Sequence, residues 1–159
     1  MQDENQAMQQ FLSLSAVLTG FERVELLGTG MAGTYYETIT SIVSPAICGQ
    51  LWAIAATILE NNCHDEKALE SAIRGEILAS VQFGPLAANI IQMWYLGSWM
   101  QLPLAWSNQF GQSPDDVTKV ISTEAYKQSL IYDVIGAHPP GAKQPGFGSW
   151  SRPPIAARM

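Results

Sequence analysis

The sequence predicts an all-α fold: a small helical domain over residues 1–135, then an extended Gly/Pro-rich C-terminal arm over residues 136–159. Three observations predict it. Apolar residues recur at helical spacing through most of the first 135 positions. Residues 77–114 carry no charged side chain, and their middle reads Ile90-Ile91-Gln92-Met93-Trp94-Tyr95-Leu96-Gly97, a stretch that needs cover. From Gly136 onward, repeated Pro and Gly exclude a helix.

The totals bound the class. At 159 residues the chain is read as one domain with a real core, burying roughly 70% of the surface its unfolded form exposes. Charged residues make up 14%, against roughly 25% in typical soluble domains. Either neutral polar groups replace charge on the surface, or part of the surface is covered. Net charge is −6, and Lys and Arg are nowhere clustered, which excludes the phosphate contacts of a nucleic-acid binder. The last acid is Asp133; after it come only Lys143, Arg152 and Arg158, with His138. The tail is mildly basic on an acidic body.

Cys48 and Cys63 are the only cysteines and neither sits in a CxxC, so both are expected to be small buried thiols. The start, Met1-Gln2-Asp3-Glu4-Asn5, lacks a basic region followed by an apolar run, and no signal peptide is expected in this chain. That fits a cytoplasmic protein, a mature form, or one exported on a partner that carries the signal. Residues 38–59 and 77–114 are uncharged and long enough to span a bilayer. The first holds Pro45, Gly49 and Gln50; the second holds Gln82, Asn89, Gln92, Gln101 and Pro103. Both are read as buried core helices.

In order, Asp3 is expected to cap a helix running to about Leu18, with Ala7, Met8, Phe11, Leu14 and Leu18 on one face and Gly20 ending it. Residues 21–27 are a possible strand. The next six, Gly28-Thr29-Gly30-Met31-Ala32-Gly33, spell GxGxxG. In a dinucleotide site those glycines follow a strand and an acid lies about 20 positions on. Glu37 is too early and Glu60 too late. The preferred reading is small residues that let helices approach, or the entry to a helix running to about Ser44. Pro45 suits the first turn of the next helix, with Ile47, Leu51, Trp52, Ala55, Ile58 and Leu59 as its apolar face. Asp65 caps a short helix over residues 66–74. His64 beside Cys63 lacks the further ligands a metal needs.

Gly84-Pro85 opens the central helix, to about Ser98, with an apolar arc wide enough for burial nearly all round. Trp99, Pro103 and Trp106 are placed in a loop, residues 108–114 in a polar surface loop, and Asp115-Asp116 in solvent. A last helix is predicted from about Ser122 to Asp133. The arm then carries Phe147 and Trp150, which dislike water, on a segment too poor in apolar residues to fold alone. An extended segment laid on a surface, its own or another chain's, accounts for both facts.

Four stretches resemble the small (gamma) subunit family of bacterial membrane-bound, FAD-dependent sugar and sugar-alcohol dehydrogenases of the fructose, sorbitol and glucose dehydrogenase type. They are Phe11-Leu12-Ser13-Leu14-Ser15-Ala16-Val17-Leu18-Thr19-Gly20, then Trp94-Tyr95-Leu96-Gly97, then Glu124-Ala125-Tyr126-Lys127-Gln128-Ser129-Leu130-Ile131-Tyr132, and finally Pro145-Gly146-Phe147 with Trp150 and Pro153-Pro154. The resemblance implies a non-catalytic helical subunit needed for maturation, stability and export of a large subunit. That partner holds the FAD, in some members also an iron–sulfur cluster, and a cytochrome c subunit often accepts the electrons. It implies a heterooligomer on the periplasmic side of the inner membrane, attached to the membrane only through the complex. Members commonly begin with a twin-arginine signal, which this chain lacks. Some carry a cysteine before the arm where this chain reads Ile135-Gly136-Ala137-His138, and Gly148-Ser149 lengthens the arm. No catalytic, cofactor-binding or metal-binding residue is assigned to this chain. The expected partner contacts are Trp94, Tyr95, Phe147, Trp150 and Arg152. The alternative is an independent nucleotide- or small-molecule-binding helical protein, using the glycines or a tryptophan-lined pocket.

Overall fold

The computed structural model describes residues 2–139, and within them the fold is mainly helical. Phe147, Trp150 and Arg152 lie outside the described residues. Helix α1 (Gln2–Thr19) already includes Asp3, so that residue does not stand at its cap. Gly20 closes it with φ 76°, its N–H donating to the Ala16 carbonyl at 2.9 Å. The possible strand at residues 21–27 is instead helix α2 (Arg23–Gly28). The cause is local: the Glu22 N–H donates to Glu25 Oε2 at 2.7 Å, the reciprocal bond of a capping box.

Gly30, at φ 72°, makes the turn into α3 (Ala32–Ile42). A Cβ on Gly28 or Gly33 would meet nothing within 4 Å, so these glycines do not bring helices together. Their part is helix exit and entry. Helix α4 (Pro45–Asn61) starts on its proline and buries Ile47, Leu51, Trp52, Ala55 and Ile58. Asp65 caps α5 (Glu66–Ala72) by accepting from the Ala68 N–H at 3.0 Å. The chain then widens into a π-helical turn, Ile73–Leu78, whose end abuts the start of α6 (Gly84–Leu96). A Cβ on Gly84 would lie 2.6 Å from the Leu78 carbonyl oxygen.

After α6 the chain departs from expectation. Ser98–Trp99 (β1) pairs antiparallel with Lys119–Val120 (β2), and the span read as loop contains α7 (Leu104–Phe110). The single helix expected from Ser122 to Asp133 is two short ones, α8 (Thr123–Lys127) and α9 (Ile131–Val134). Ser122 does cap, its Oγ accepting from the Ala125 N–H at 3.0 Å. The break has a tertiary cause. The Leu130 N–H donates not within its own helix but to the Trp94 carbonyl, at 3.0 Å.

One core joins these elements. Helix α1 packs on α4 and α6, and α3 lies against all three. Phe11 meets Trp52 edge-on with ring centroids 5.5 Å apart, and Tyr35 meets Trp94 edge-on at 4.8 Å. The uncharged segment supplies Leu86, Ala87, Ile90, Met93, Trp94, Trp99, Leu102 and Trp106 to this core. No helix among the described residues is long and apolar enough to cross a membrane.

Gly97 is the tightest point. It sits at φ 63°, and a Cβ there would come within 2.5 Å of the Ala125 carbonyl carbon and oxygen. Gly97→Ala combines left-handed strain with backbone overlap and is expected to cost about 2–4 kcal/mol. Chemical denaturation of the two proteins measures it. A midpoint within error of the parent would refute this packing.

Candidate functional site

The C-terminal end of α6 is where distant parts of the chain are tied together. Thr19, at the end of α1, offers its carbonyl to the Tyr95 hydroxyl at 2.7 Å. The Trp94 carbonyl accepts from the Leu130 N–H, and the Gly97 carbonyl accepts from the Ile121 N–H at 2.9 Å. Gly97 allows α8 to pass at Ala125. Residues 94–97 therefore touch both the 11–20 and the 124–132 stretches here. The fourth stretch of the family resemblance lies outside the described residues.

Trp94 and Tyr95 part company at this point. Trp94 is fully buried, its ring against Tyr35, so it packs the chain's own core and offers no face to another protein. This corrects its reading as a contact residue. Within the chain, α1, the π-helical turn, α8 and α3 all pack against the wide apolar arc of α6. Tyr95 is half-buried, with its hydroxyl bonded to Thr19 and its ring edge-on to Phe21 at 6.1 Å.

Among the side chains that emerge from these elements are the aliphatic Leu96, Val120, Val134 and Ile135, the last 63% exposed, beside the charged Lys119, Glu124 and Asp133. Sequence reasoning missed the aliphatic ones. Val134 and Ile135 had a signal, since they stand next to the start of the arm. Leu96 and Val120 had none, because their exposure follows from where α6 stops and how the two short strands pair.

Asp116 was read as solvated, and the structure corrects this. It is 6% exposed and accepts from Trp99 Nε1 at 2.9 Å and from the Leu102 N–H at 3.0 Å. Asn89 does similar work next door: its side chain donates to the Met100 carbonyl and accepts from the Met100 N–H, both at 2.9 Å. These two side chains satisfy backbone and indole groups of a buried, irregular, uncharged segment, where an unpaired group would cost about 1–3 kcal/mol. They are structural.

The glycine motif falls between two helices, α2 and α3, with no strand before it, so it lacks the strand-to-helix turn of a dinucleotide site. Trp94 and Trp99 are wholly enclosed, whereas Trp106 and Phe110 line an open pocket beside the end of α3. Among the described residues no group of three or more His, Cys, Asp or Glu is placed to hold a metal. Cys48 is buried and Cys63 exposed, and both are free thiols, so the expectation of two buried thiols holds for Cys48 alone. No protein-family model, curated protein or solved structure matches the chain.

Burial raises the acid groups inside. The Cys48 thiol is pushed from its ordinary 9.0 up to about 11, and the Tyr35 phenol is raised well above its usual range. Between pH 9 and 11 the unfolded chain loses the Cys48 proton while the folded chain keeps it. The unfolded state then binds fewer protons, so stability falls as pH rises through that window. Denaturation midpoints are expected to be level just below pH 9 and to decline from 9 to 11, with a smaller decline in Cys48→Ala. A profile flat to pH 11 in the parent would contradict this burial.

Proposed function

We propose that this chain is the non-catalytic small subunit of an FAD-dependent sugar or polyol dehydrogenase complex. In this reading it is needed for maturation, stability and export of the large FAD-carrying subunit. The observation that carries the proposal is the meeting of Thr19, Trp94, Tyr95, Ala125 and Leu130 at the end of α6. The resembling stretches are far apart in sequence, yet they build one structural feature.

Two further facts support a partner. Leu96, Val120, Val134 and Ile135 leave the elements of that feature as exposed aliphatic side chains. The arm that follows adds Phe147, Trp150 and Arg152. Aromatic and Arg side chains are the usual anchors of protein interfaces. In this assignment the large subunit's FAD, with an iron–sulfur cluster in some members of the family, oxidises the sugar. In many complexes of this family a cytochrome c subunit passes the electrons on, and the complex works on the periplasmic side of the bacterial inner membrane. The choice of sugar belongs to the large subunit.

The test is genetic and biochemical. Removing this chain from the cells that make it is expected to abolish sugar-dependent reduction of an artificial electron acceptor by their membranes. Resupplying it should restore the activity. Ile135→Glu, a change at an exposed side chain, and Trp150→Ala are each expected to lower the restored activity several-fold. Unchanged membrane activity in cells lacking the chain would refute the proposal.

A further inference from the structure

Helix α5 has seven residues, and none of them is buried. A helix that short is not stable by itself, yet its apolar Leu69 is only partly covered. Beside it lies a groove of about 520 Å³. One wall is a stripe along α5 and the π-helical turn: Glu66, Leu69, Glu70, Ile73, Arg74 and Leu78. These positions recur three and four residues apart, as one face of a helix does, over about three turns. The last turns of α1 supply Val17 and Leu18, and α6 supplies Ile91. Those three are partly buried and Leu78 is 42% exposed, so the groove is apolar and open. The exposed carboxylates Glu22, Glu66 and Glu70 edge it. Arg74, the one cation among its described lining residues, is bonded to Glu70 at 2.7 Å. Arg23, next to Glu22, is bonded to Gln9 and stays out of the lining. The rim therefore keeps a net negative charge.

We propose that this groove seats an amphipathic helix of another polypeptide, about three turns long, with an apolar face and Lys or Arg along its flanks. Shape and charge both select for it. A stripe of helical period facing a second helix is the surface into which a helix lays anchors at i, i+3, i+4 and i+7. An extended peptide finds no sheet edge here, since α1, α5 and α6 are all helices. The acidic rim favours flanking cations and repels acids. It disfavours an anionic membrane surface and a second copy of this chain, whose net charge is −6. A docked helix covers Leu69 and Leu78 and gives α5 the burial it lacks. π-Helical turns recur at functional sites, and this one supplies Ile73, Arg74 and Leu78 to the wall. The docking is independent of the dehydrogenase assignment: it needs only a segment of this chemistry, in whatever complex the chain serves.

Peptide titration of the full chain tests it. The probe is a fluorescent peptide of about 14 residues with Leu on one helical face and Lys on its flanks. Two control peptides keep good helix formers throughout: one carries Gln for Leu, the other Glu for Lys. The probe is expected to bind about tenfold more tightly than either control. In the chain, Glu66→Gln with Glu70→Gln is expected to weaken binding about tenfold, and Leu78→Gln several-fold. Glu37→Gln with Glu60→Gln, a pair that is exposed and outside the groove, is expected to leave Kd within about twofold. All the changed side chains are exposed, so the variants keep the core. Absence of saturable binding, equal binding of the Gln-for-Leu control, or equal weakening by the two glutamate pairs would each overturn the proposal. So would a dimer of the chain that the probe dissociates, or a tenfold gain in probe affinity in Phe147→Ala with Trp150→Ala. The first would give the groove to a second copy and the other to the chain's own arm.

Discussion

A helix with no charge along its length must be enclosed, and an enclosed helix must have its end enclosed as well. That constraint organises this molecule. The carbonyls near the end of α6 cannot all bond within the helix, and water cannot reach groups inside the core. The Trp94 carbonyl is satisfied by Leu130 and the Gly97 carbonyl by Ile121, both from the C-terminal third of the chain. Tyr95 turns the other way and ties the same helix to the end of α1. These bonds place the two-residue strands, the approach of α8, and the break between α8 and α9.

The same constraint explains two polar side chains in the core. The segment that leaves α6 is irregular and uncharged, so its donors and acceptors need partners that no neighbour in sequence supplies. Asn89 and Asp116 provide them from either side in sequence. Both positions are therefore read as parts of the scaffold, although a buried carboxylate beside a tryptophan invites a chemical reading.

What the sequence revealed and what it hid divide along the range of the interactions. Gly20, Pro45, Asp65, Ser122 and the Gly84-Pro85 pair are local signals, and each marks a helix end where local chemistry places one. The helix at residues 23–28 was also local, written in the Glu22–Glu25 box, but masked by a short alternating pattern. The strands, α7 and the split of the last helix were not legible, because bonds between residues far apart decide them. Burial was legible for residues 77–114 as a whole; what covered it was not. Trp94 looked like an anchor for another protein because its partner in packing, Tyr35, lies on a different helix.

These elements support one account. The body encloses its own uncharged helix and leaves the aliphatic side chains of Leu96, Val120, Val134 and Ile135 exposed. The resembling stretches meet where those aliphatic side chains emerge, which is why a subunit reading is preferred to an independent enzyme. Purifying the tagged full chain under mild conditions from the cells that make it, with an absorption spectrum and mass identification of whatever accompanies it, tests that reading most directly. The account predicts a stoichiometric larger protein with a flavin spectrum. The chain emerging alone, as a stable monomer carrying its own nucleotide, would contradict it.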